Sequence, residues 1–488
     1  MLGKIFGKKC DHPMADVKSA QALLLDLPRE DALKSVMELT DWIESVASRE
    51  DFKLADQLAV LNLLDETAQP YARKLSCEYF TLPDMHTFQG NRLCLVLDSL
   101  FCQMANAYYL MFTRYCKDDA TAKLPLLVAR AVRAIREQIK YAAVQYQIHD
   151  SSIWRNLAQL YQHAEQQQYL GTAVNTHHAV PESATIESES GKLMAWYASG
   201  LSSLSPRSMH LAELIITQYA DAVSIGLNGQ ALCSFDLAYA RAPVRIHKDA
   251  ATHPLMRYVS LSGMREKLEA LIVILEKNIV PQELHLGCAF TAEWVLDAAQ
   301  HVLNYVVASP QRLSKRLELA APLTVVAGCE NVLAFCVSQD RSEPMQMMLE
   351  NASSGGFLAR LSGRCGDGIR IGHVLGVKTV SVPRMGVAIV RRLSRDSAGQ
   401  LHVGAEVLTN HASHVTLRSG AGENQHALWL HAEDGMATLL MQANFFSMLR
   451  SLQAHFDGKN YLLIPVRLGE VGMDYDLASF RVIEQEEE

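Results

Sequence analysis

The chain has 488 residues, of which 49% are hydrophobic and 20% are charged, and its formal net charge at pH 7 is -8. This length exceeds what one hydrophobic core supports and predicts about three domains, while the composition is that of a soluble globular protein. The negative net charge argues against a protein that coats nucleic acid, because such binding depends on neutralising phosphates with lysine and arginine.

The ten cysteines are scattered singly without a CxxC pair, and the histidines do not cluster. This spacing predicts reduced thiols, a cytoplasmic localisation and no metal site. We expect no secretory signal, and we interpret residues 1–15 as a flexible N-terminus.

From about residue 16 to residue 309 the sequence predicts α-helices. Apolar residues recur at spacings of three and four in segments near 30–48, 52–76, 90–115, 122–146 and 150–168. Residues 16–168 are therefore predicted to form an α-helical domain, a bundle or an irregular array. The polar, aperiodic residues 169–191 are predicted to be a loop or linker, and residues 192–309 a second helical subdomain.

Two helical segments raise the question of a membrane or a dimer. Residues 93–112 are mostly apolar, but Asp98 falls near the middle of the segment, so we predict a buried core helix rather than a transmembrane one. Residues 262–280 carry a leucine-rich stripe over only two heptads, which favours a helix facing the core and leaves a homodimer seam open.

Polar residues in the helical half suggest one further alternative. Arg130, Arg133, Arg136 and Lys140 fall on one helix face, which we interpret as solvated or ion-paired, the alternative being contact with an acidic partner or nucleic acid. The adjacent His177 and His178 are predicted to be exposed loop residues, since neighbours in sequence cannot share a helix face as metal ligands do.

From residue 310 the pattern changes from helices to strands. Short apolar or alternating runs, separated by glycine, proline, aspartate and serine, lie at 317–326, 332–337, 345–349, 369–377, 387–393 and 401–408. Six strands at this spacing predict a small antiparallel β-barrel over residues 310–418.

Two polar clusters accompany these strands. Arg312 and Arg316 are four residues apart, and Asn351, Ser353 and Gly356 follow in the sequence NASSGG. Two guanidinium groups can clamp a phosphate or the O6/N7 edge of guanine, while an amide and a hydroxyl can address the rest of the polar edge. A glycine lets the backbone bend closely. Together the clusters predict a site for a guanine-nucleotide phosphodiester.

This arrangement resembles the PilZ domain, the bacterial receptor module for cyclic di-GMP, whose pattern is RxxxR followed by (D/N)xSxxG. The resemblance covers roughly residues 308–418. It implies a six-stranded barrel, cyclic di-GMP as the ligand, and a ligand-binding role for all five residues of the two clusters. A second RxxxR at Arg360 and Arg364 follows the other cluster, and whether it contributes is left open. The helical half carries no resemblance that we recognise.

Residues 419–488 are again rich in strand patterns, with a helix predicted over 445–455. We interpret them as a β-rich C-terminal extension rather than a separately closed domain. The predicted fold class is thus multidomain α plus β: an N-terminal helical bundle or array, a PilZ-like six-stranded antiparallel barrel and this extension.

The sequence lacks a P-loop, an HExxH motif, a nucleophile elbow and the GGDEF and EAL motifs, so we predict no enzyme and no catalytic cofactor. The leading hypothesis is a cytoplasmic bacterial cyclic di-GMP effector that signals through its helical half to an unidentified protein partner. By family analogy its output is motility, surface polysaccharide or biofilm formation. Two alternatives stay open: a PilZ-like structural adaptor that binds no ligand, and a nucleic-acid-binding regulator that uses the stripe around Arg130.

Overall fold

The structure, a computed structural model, describes residues 10–117, 121–147, 151–178, 183–227, 231–239, 241–246, 253–307, 315–337, 344–361, 368–379, 384–418 and 424–485. The chain divides into two compact units, one of Met1–Gln145 with His149–Pro310 and the other of Tyr146–Ile148 with Gln311–Glu488. The first is mainly helical and the second mainly β, so the predicted fold class is confirmed. The division of the helical half at residues 169–191 stays a prediction.

The first unit contains these α-helices in its described residues: α1 Val17–Leu23, α2 Ala32–Ser48, α3 Leu54–Thr81, α4 Phe88–Lys117, α5 Leu124–Ala143, α6 Ser151–Gln166, α7 Ile186–Ala198, α8 Pro206–Gln218, α9 Arg265–Leu275 and α10 Ala292–Val307. Several begin at side chains that cap the helix. The side chains of Asp31 and Thr185 accept hydrogen bonds from the backbone three residues on, and Ser205 does the same ahead of Pro206. These local signals fix where the helices start.

A four-stranded sheet interrupts the helices between α8 and α9. Its strands are β1 Ser224–Gly226, β2 Cys233–Asp236, β3 Val244–Arg245 and β4 Met256–Ser260, in the order β1-β4-β2-β3. Every residue of the central β2 is buried, so the strand shows no alternation of exposed and buried side chains. The prediction of a second helical subdomain over residues 192–309 therefore missed this sheet.

Helix α4 contains the apolar segment that raised the membrane question. Among the described residues it alone is long and apolar enough to cross a membrane by length and composition, and 50% of its most apolar window is buried within the protein. Leu97, Leu100 and Met104 are at most 2% exposed. These side chains contribute to the core of the helical unit.

The leucine-rich stripe, which runs from just before α9 to its end, faces the core of the helical unit. The stripe residues Leu261, Met264, Leu268, Leu271 and Leu275 are all at most 2% exposed within a single chain. A homodimer seam along this stripe would require exposed side chains. The interpretation as a helix facing the core is confirmed.

The second unit begins with a closed antiparallel barrel in the order β10-β7-β6-β5-β8-β9. Its elements are β5 Leu317–Ala327, α11 Cys329–Val337, β6 Met345–Ser353, β7 Gly356–Leu361, β8 Val374–Thr379, β9 Gly386–Arg395 and β10 Leu401–Thr409. The predicted number of strands is right, but two assignments were wrong. The run at 332–337 belongs to a helix, and the unpredicted sixth strand is β7.

A second closed barrel follows in the order β11-β12-β13-β16-β15-β14. Its strands are β11 Ser413–Arg418, β12 Gln425–Glu433, β13 Met436–Gln442, β14 Leu452–Phe456, β15 Lys459–Val471 and β16 Tyr475–Gln485. The expectation that these strands do not close was wrong. The helix predicted over 445–455 is also absent, because residues 452–456 form β14.

The two barrels of this unit share a hydrophobic core. Helix α11 supplies Cys329, Val332 and Leu333, which pack in one cluster with side chains of both barrels. The first barrel contributes Val326, Val374, Val387 and Ile389, and the second contributes Leu428, Leu430, Leu440 and Tyr475. The barrels therefore bury each other's apolar surface.

Polar contacts reinforce this junction. The guanidinium of Arg391 on β9 donates two hydrogen bonds to the carboxylate of Glu470 on β15, at 2.6 and 2.8 Å. The carboxylate of Asp474 accepts from the backbone N–H of Cys329 at 2.7 Å and of Val374 at 3.3 Å. Bidentate and charge-assisted hydrogen bonds restrict geometry strongly, so the barrels are held in one arrangement.

Candidate functional site

The structure brings the two polar clusters of the sequence together at neighbouring strands. Arg316 immediately precedes β5, and Asn351 lies in β6, where it is the register partner of Glu318 on β5. The Nη1 of Arg316 donates a hydrogen bond to Oδ1 of Asn351 at 2.8 Å. Residues separated by 35 positions in sequence are thus joined directly.

Ser353 and Gly356 close the hairpin between β6 and β7. They are register partners, and the Ser353 hydroxyl donates to the Gly356 carbonyl oxygen at 3.2 Å. A Cβ on Gly356 would lie 2.4 Å from the carbonyl oxygen of Ala405 on β10, which is closer than real side chains approach. Glycine is therefore required here by the close approach of β7 and β10. Asn351 and Ser353 both lie in the last residues of β6.

Arg312 lies outside the described residues, as does Arg364. Arg360 is on β7, four residues or about 13 Å along the strand from Gly356. It already has partners, since its Nη1 donates to Oε1 of Gln400 at 2.8 Å and its Nε lies 3.8 Å from Oε1 of Glu350. Whether Arg360 contributes to the ligand site stays open.

The site has an accessible cation beside an apolar surface. Arg316 is exposed, and the following Leu317 and Leu319 are 70% and 49% exposed. A guanidinium carries five N–H donors in a planar fork, so it can hold Asn351 and contact an oxygen acceptor at the same time. Such a surface suits a planar, polar ligand with anionic groups.

The arginine stripe of α5 lies elsewhere, in the interior of the helical unit. Arg130, Arg136 and Lys140 are at most 5% exposed, so they cannot form a surface for nucleic acid or an acidic partner. The expectation of ion pairing is confirmed. The Nη1 of Arg136 lies 2.8 Å from Glu189, and the Nζ of Lys140 lies 2.7 Å from Glu213.

These buried charges stabilise one another. Burial alone would lower the pKa of Lys140, but the carboxylates of Glu137 and Glu213 outweigh it and raise the pKa. Burial alone would raise the pKa of Glu189, yet Arg136 and Lys192 bring it down to about 2. Buried charges persist only when they are paired in this way.

A second buried cluster surrounds Asp65 on α3. Its Oδ2 accepts from the Tyr108 hydroxyl at 2.6 Å and lies 3.0 Å from Nε2 of His177 and 3.5 Å from Nη1 of Arg130. Although burial raises the pKa of Asp65, the hydrogen bond and charge of His177 and the charge of Arg130 lower it to about 2. The prediction of an exposed His177 was wrong, whereas His178 is 92% exposed as expected.

Sequence reasoning missed this buried network because its acids come from distant parts of the chain. Asp65, Glu189 and Glu213 lie on α3, α7 and α8. One signal was available: small and apolar residues fill the positions between the cations of α5, so the helix has no fully polar face.

One pair of cysteines also departs from expectation. Cys77 on α3 is joined by a disulfide to Cys288, 211 residues later, although single reduced thiols were predicted. In the described parts of the chain no three or more histidine, cysteine or acidic side chains are grouped as metal ligands would be.

Comparison with known proteins adds information about the helical half. No curated protein matches the chain. Residues 18–230 match the family described as cyclic-di-GMP receptor FimW, N-terminal domain. The match covers less than half of the chain. It falls in the helical half, for which the sequence alone showed no family resemblance. The helical part of this protein is therefore similar to the N-terminal domain of a cyclic-di-GMP receptor.

Proposed function

We propose that this protein is a cyclic di-GMP receptor that binds the nucleotide on its first barrel. The ligand site would consist of Arg312, Arg316, Asn351, Ser353 and Gly356. Arginine forks would engage phosphate or the O6/N7 edge of guanine, and the amide and hydroxyl the remaining polar groups. The protein would act by binding rather than by catalysis.

The observation that carries the proposal is the contact between the two halves of the motif. The 2.8 Å hydrogen bond from Arg316 to Asn351 brings a guanidinium and an amide together, which supports a shared role in binding one ligand. Ser353 and Gly356 lie in the adjoining hairpin, so four of the five residues converge on one end of β6.

Independent support comes from a different part of the chain. The match to the N-terminal domain of a cyclic-di-GMP receptor ends at residue 230, long before the motif at 312–356. Two separate stretches of sequence therefore favour the same ligand.

The position of the arginines suggests how binding is transmitted. Arg312 and Arg316 lie in the segment that connects α10 to β5, where the helical unit ends in sequence and the β unit begins. A ligand that holds these arginines would restrict that segment and favour one of its conformations. We propose that a cytoplasmic protein partner reads this change through the helical unit, with motility, surface polysaccharide or biofilm formation as the output.

Calorimetric titration of the full chain with cyclic di-GMP tests the proposal. We expect micromolar or tighter binding to the wild type. Removing one partner of a polar contact that becomes buried under the bound ligand costs about 2 kcal/mol or more, so Arg316→Ala and Asn351→Ala should each weaken binding at least about 30-fold. Arg384→Ala, which removes another exposed arginine of the same unit, is the control and should bind as the wild type does.

If the wild type does not bind cyclic di-GMP, the proposal is refuted and the structural adaptor is favoured instead. Equal affinity for the wild type and both site variants would place the ligand away from these residues. The nucleic-acid alternative is withdrawn, because the stripe around Arg130 is buried.

A further inference from the structure

The helical unit contains a cavity of about 320 Å³ between α3, α4, α5, α8 and the segment at 285–288. This volume is at the lower end of the range found for small-molecule sites. At one end the cavity is lined by exposed residues, among them Arg73, His285 and Gly287, and the Cys77–Cys288 disulfide lies beside them. A ligand therefore has a route from solvent into the interior.

The charged lining of the cavity consists of five cations and the three carboxylates of Asp65, Glu137 and Glu213. Arg130, Arg136 and Lys140 each have a carboxylate partner. Arg133 and Arg73 also line the cavity, and neither forms an ion pair with a carboxylate of the described residues. The Nη1 of Arg133 donates to a neutral group, the Thr176 hydroxyl, at 3.2 Å. Among the described residues Arg133 therefore makes no close ion pair, although its charge helps to lower the pKa of Glu189 and of Glu213.

Two buried polar atoms in the cavity that have no hydrogen-bond partner among the described residues also favour a polar ligand. His177 and His210 line the cavity and are 3% and 6% exposed, and their Nδ1 atoms have no hydrogen-bond partner among the described residues. A buried polar atom left unpaired costs roughly 1–3 kcal/mol, which a polar ligand could recover. Burial and the charge of Lys140 keep the pKa of His210 well below its usual value, so its ring is neutral at neutral pH.

Apolar and aromatic side chains also line the cavity. Phe101 and Tyr141 stack with their ring centroids 5.7 Å apart and their planes almost parallel, and Met104 and Leu286 extend the apolar surface. A cavity lined by both cations and aromatic rings suits a ligand with an anionic group and a planar apolar body.

We propose that this cavity binds a small aromatic anion that carries one phosphate or carboxylate group. Arg133 is the main anion contact, and Arg73 receives the ligand at the mouth. This cavity lies in the helical unit, whereas the proposed cyclic di-GMP site lies on the first barrel. The inference does not depend on the function proposed above.

Thermal shift and calorimetry on the full chain test it with phenyl phosphate, benzoate and uncharged benzyl alcohol. We expect at least one of the two anions to raise the melting temperature and to bind more tightly than the alcohol. The tighter anion identifies the source, phosphoryl or carboxylate. Arg133→Met, which keeps an unbranched apolar stem, should weaken that binding at least tenfold, equivalent to about 1.4 kcal/mol.

Two further variants keep the test decisive. Arg73→Met changes an exposed side chain, so it should fold normally and still weaken anion binding. Arg155→Met, an exposed arginine of α6 outside the cavity, is the control and should bind the anion as the wild type does. The absence of binding by both anions overturns the inference, as does affinity for them that is unchanged in Arg133→Met and Arg73→Met. Arg133→Met and Arg73→Met should bind cyclic di-GMP as the wild type does, because neither residue belongs to the proposed barrel site. The two proposals can therefore fail independently.

Discussion

Gly356 offers a sharp test of the geometry at the candidate site. An alanine there would place its Cβ 2.4 Å from the carbonyl oxygen of Ala405, whereas real contacts of this kind do not fall below 3.0 Å. Strands β7 and β10 would therefore have to separate by about 0.6 Å or more. The neighbouring Gly355 is a matched control, because a Cβ on it meets nothing within 4 Å.

The expected cost follows from two contributions. Overpacking of a tightly packed position costs about 1–3 kcal/mol. The backbone hydrogen bond from Val407 to Gly355, 3.1 Å long, lies beside the forced gap, and its loss adds roughly 0.5–1.5 kcal/mol. We therefore expect Gly356→Ala to destabilise this hairpin by about 2–4 kcal/mol. Gly355→Ala should change its stability by less than about 0.5 kcal/mol.

Hydrogen exchange measured by mass spectrometry on peptides from β6, β7 and β10 reports the local opening free energy. A change of 2–4 kcal/mol corresponds to exchange that is about 30- to 700-fold faster. Peptides from the helical unit serve as an internal reference. Equal exchange in Gly356→Ala and Gly355→Ala would refute the close approach of β7 and β10 and, with it, our account of why glycine ends the motif.

Two further predictions concern titratable groups. Because the pKa of Asp65 is lowered from 3.8 to about 2 in the folded state, its contribution to stability is present above pH 4 and lost as the pH falls towards 2. In urea unfolding at pH 5 and pH 3, Asp65→Asn should lose about 1 kcal/mol less than the wild type, while the exposed Asp41→Asn should behave as the wild type; equal losses in all three would contradict the buried pairing. Burial raises the pKa of Cys233 and of Cys329 to about 12. Iodoacetamide at pH 8 should therefore modify both thiols only after denaturation. Rapid labelling of either thiol in the native protein would contradict their burial.

The sequence predicted elements best where local chemistry decides the structure. Helices α2 to α6 followed from apolar periodicity. The motif assigned Arg316 and Asn351 to one ligand site, but the direct hydrogen bond between them was not predicted. Helix α11 was mistaken for a strand because its sequence CENVLAFCV is apolar on nearly all sides, and periodicity cannot then distinguish a buried helix from a buried strand. The reason for this composition is non-local: α11 is covered by both barrels.

Charge patterns were equally ambiguous without the fold. The spacing of Arg130, Arg136 and Lys140 is that of a solvated helix face, and only their partners on other helices make burial possible. Closure of the second barrel was missed because β14 follows an irregular segment containing Phe445 and Phe446, which was interpreted as a helix. Those phenylalanines instead pack against the core of the second barrel.

The core shared by the two barrels limits how this protein can be divided. A fragment that stops at residue 418 would leave Val332, Val387 and their neighbours facing water, because Leu428, Leu440 and Tyr475 would be missing. Such a fragment would be prone to aggregate, whatever its affinity for a nucleotide. The smallest separable β unit therefore includes both barrels, and a gene rearrangement that removed the second would also expose the core of the first.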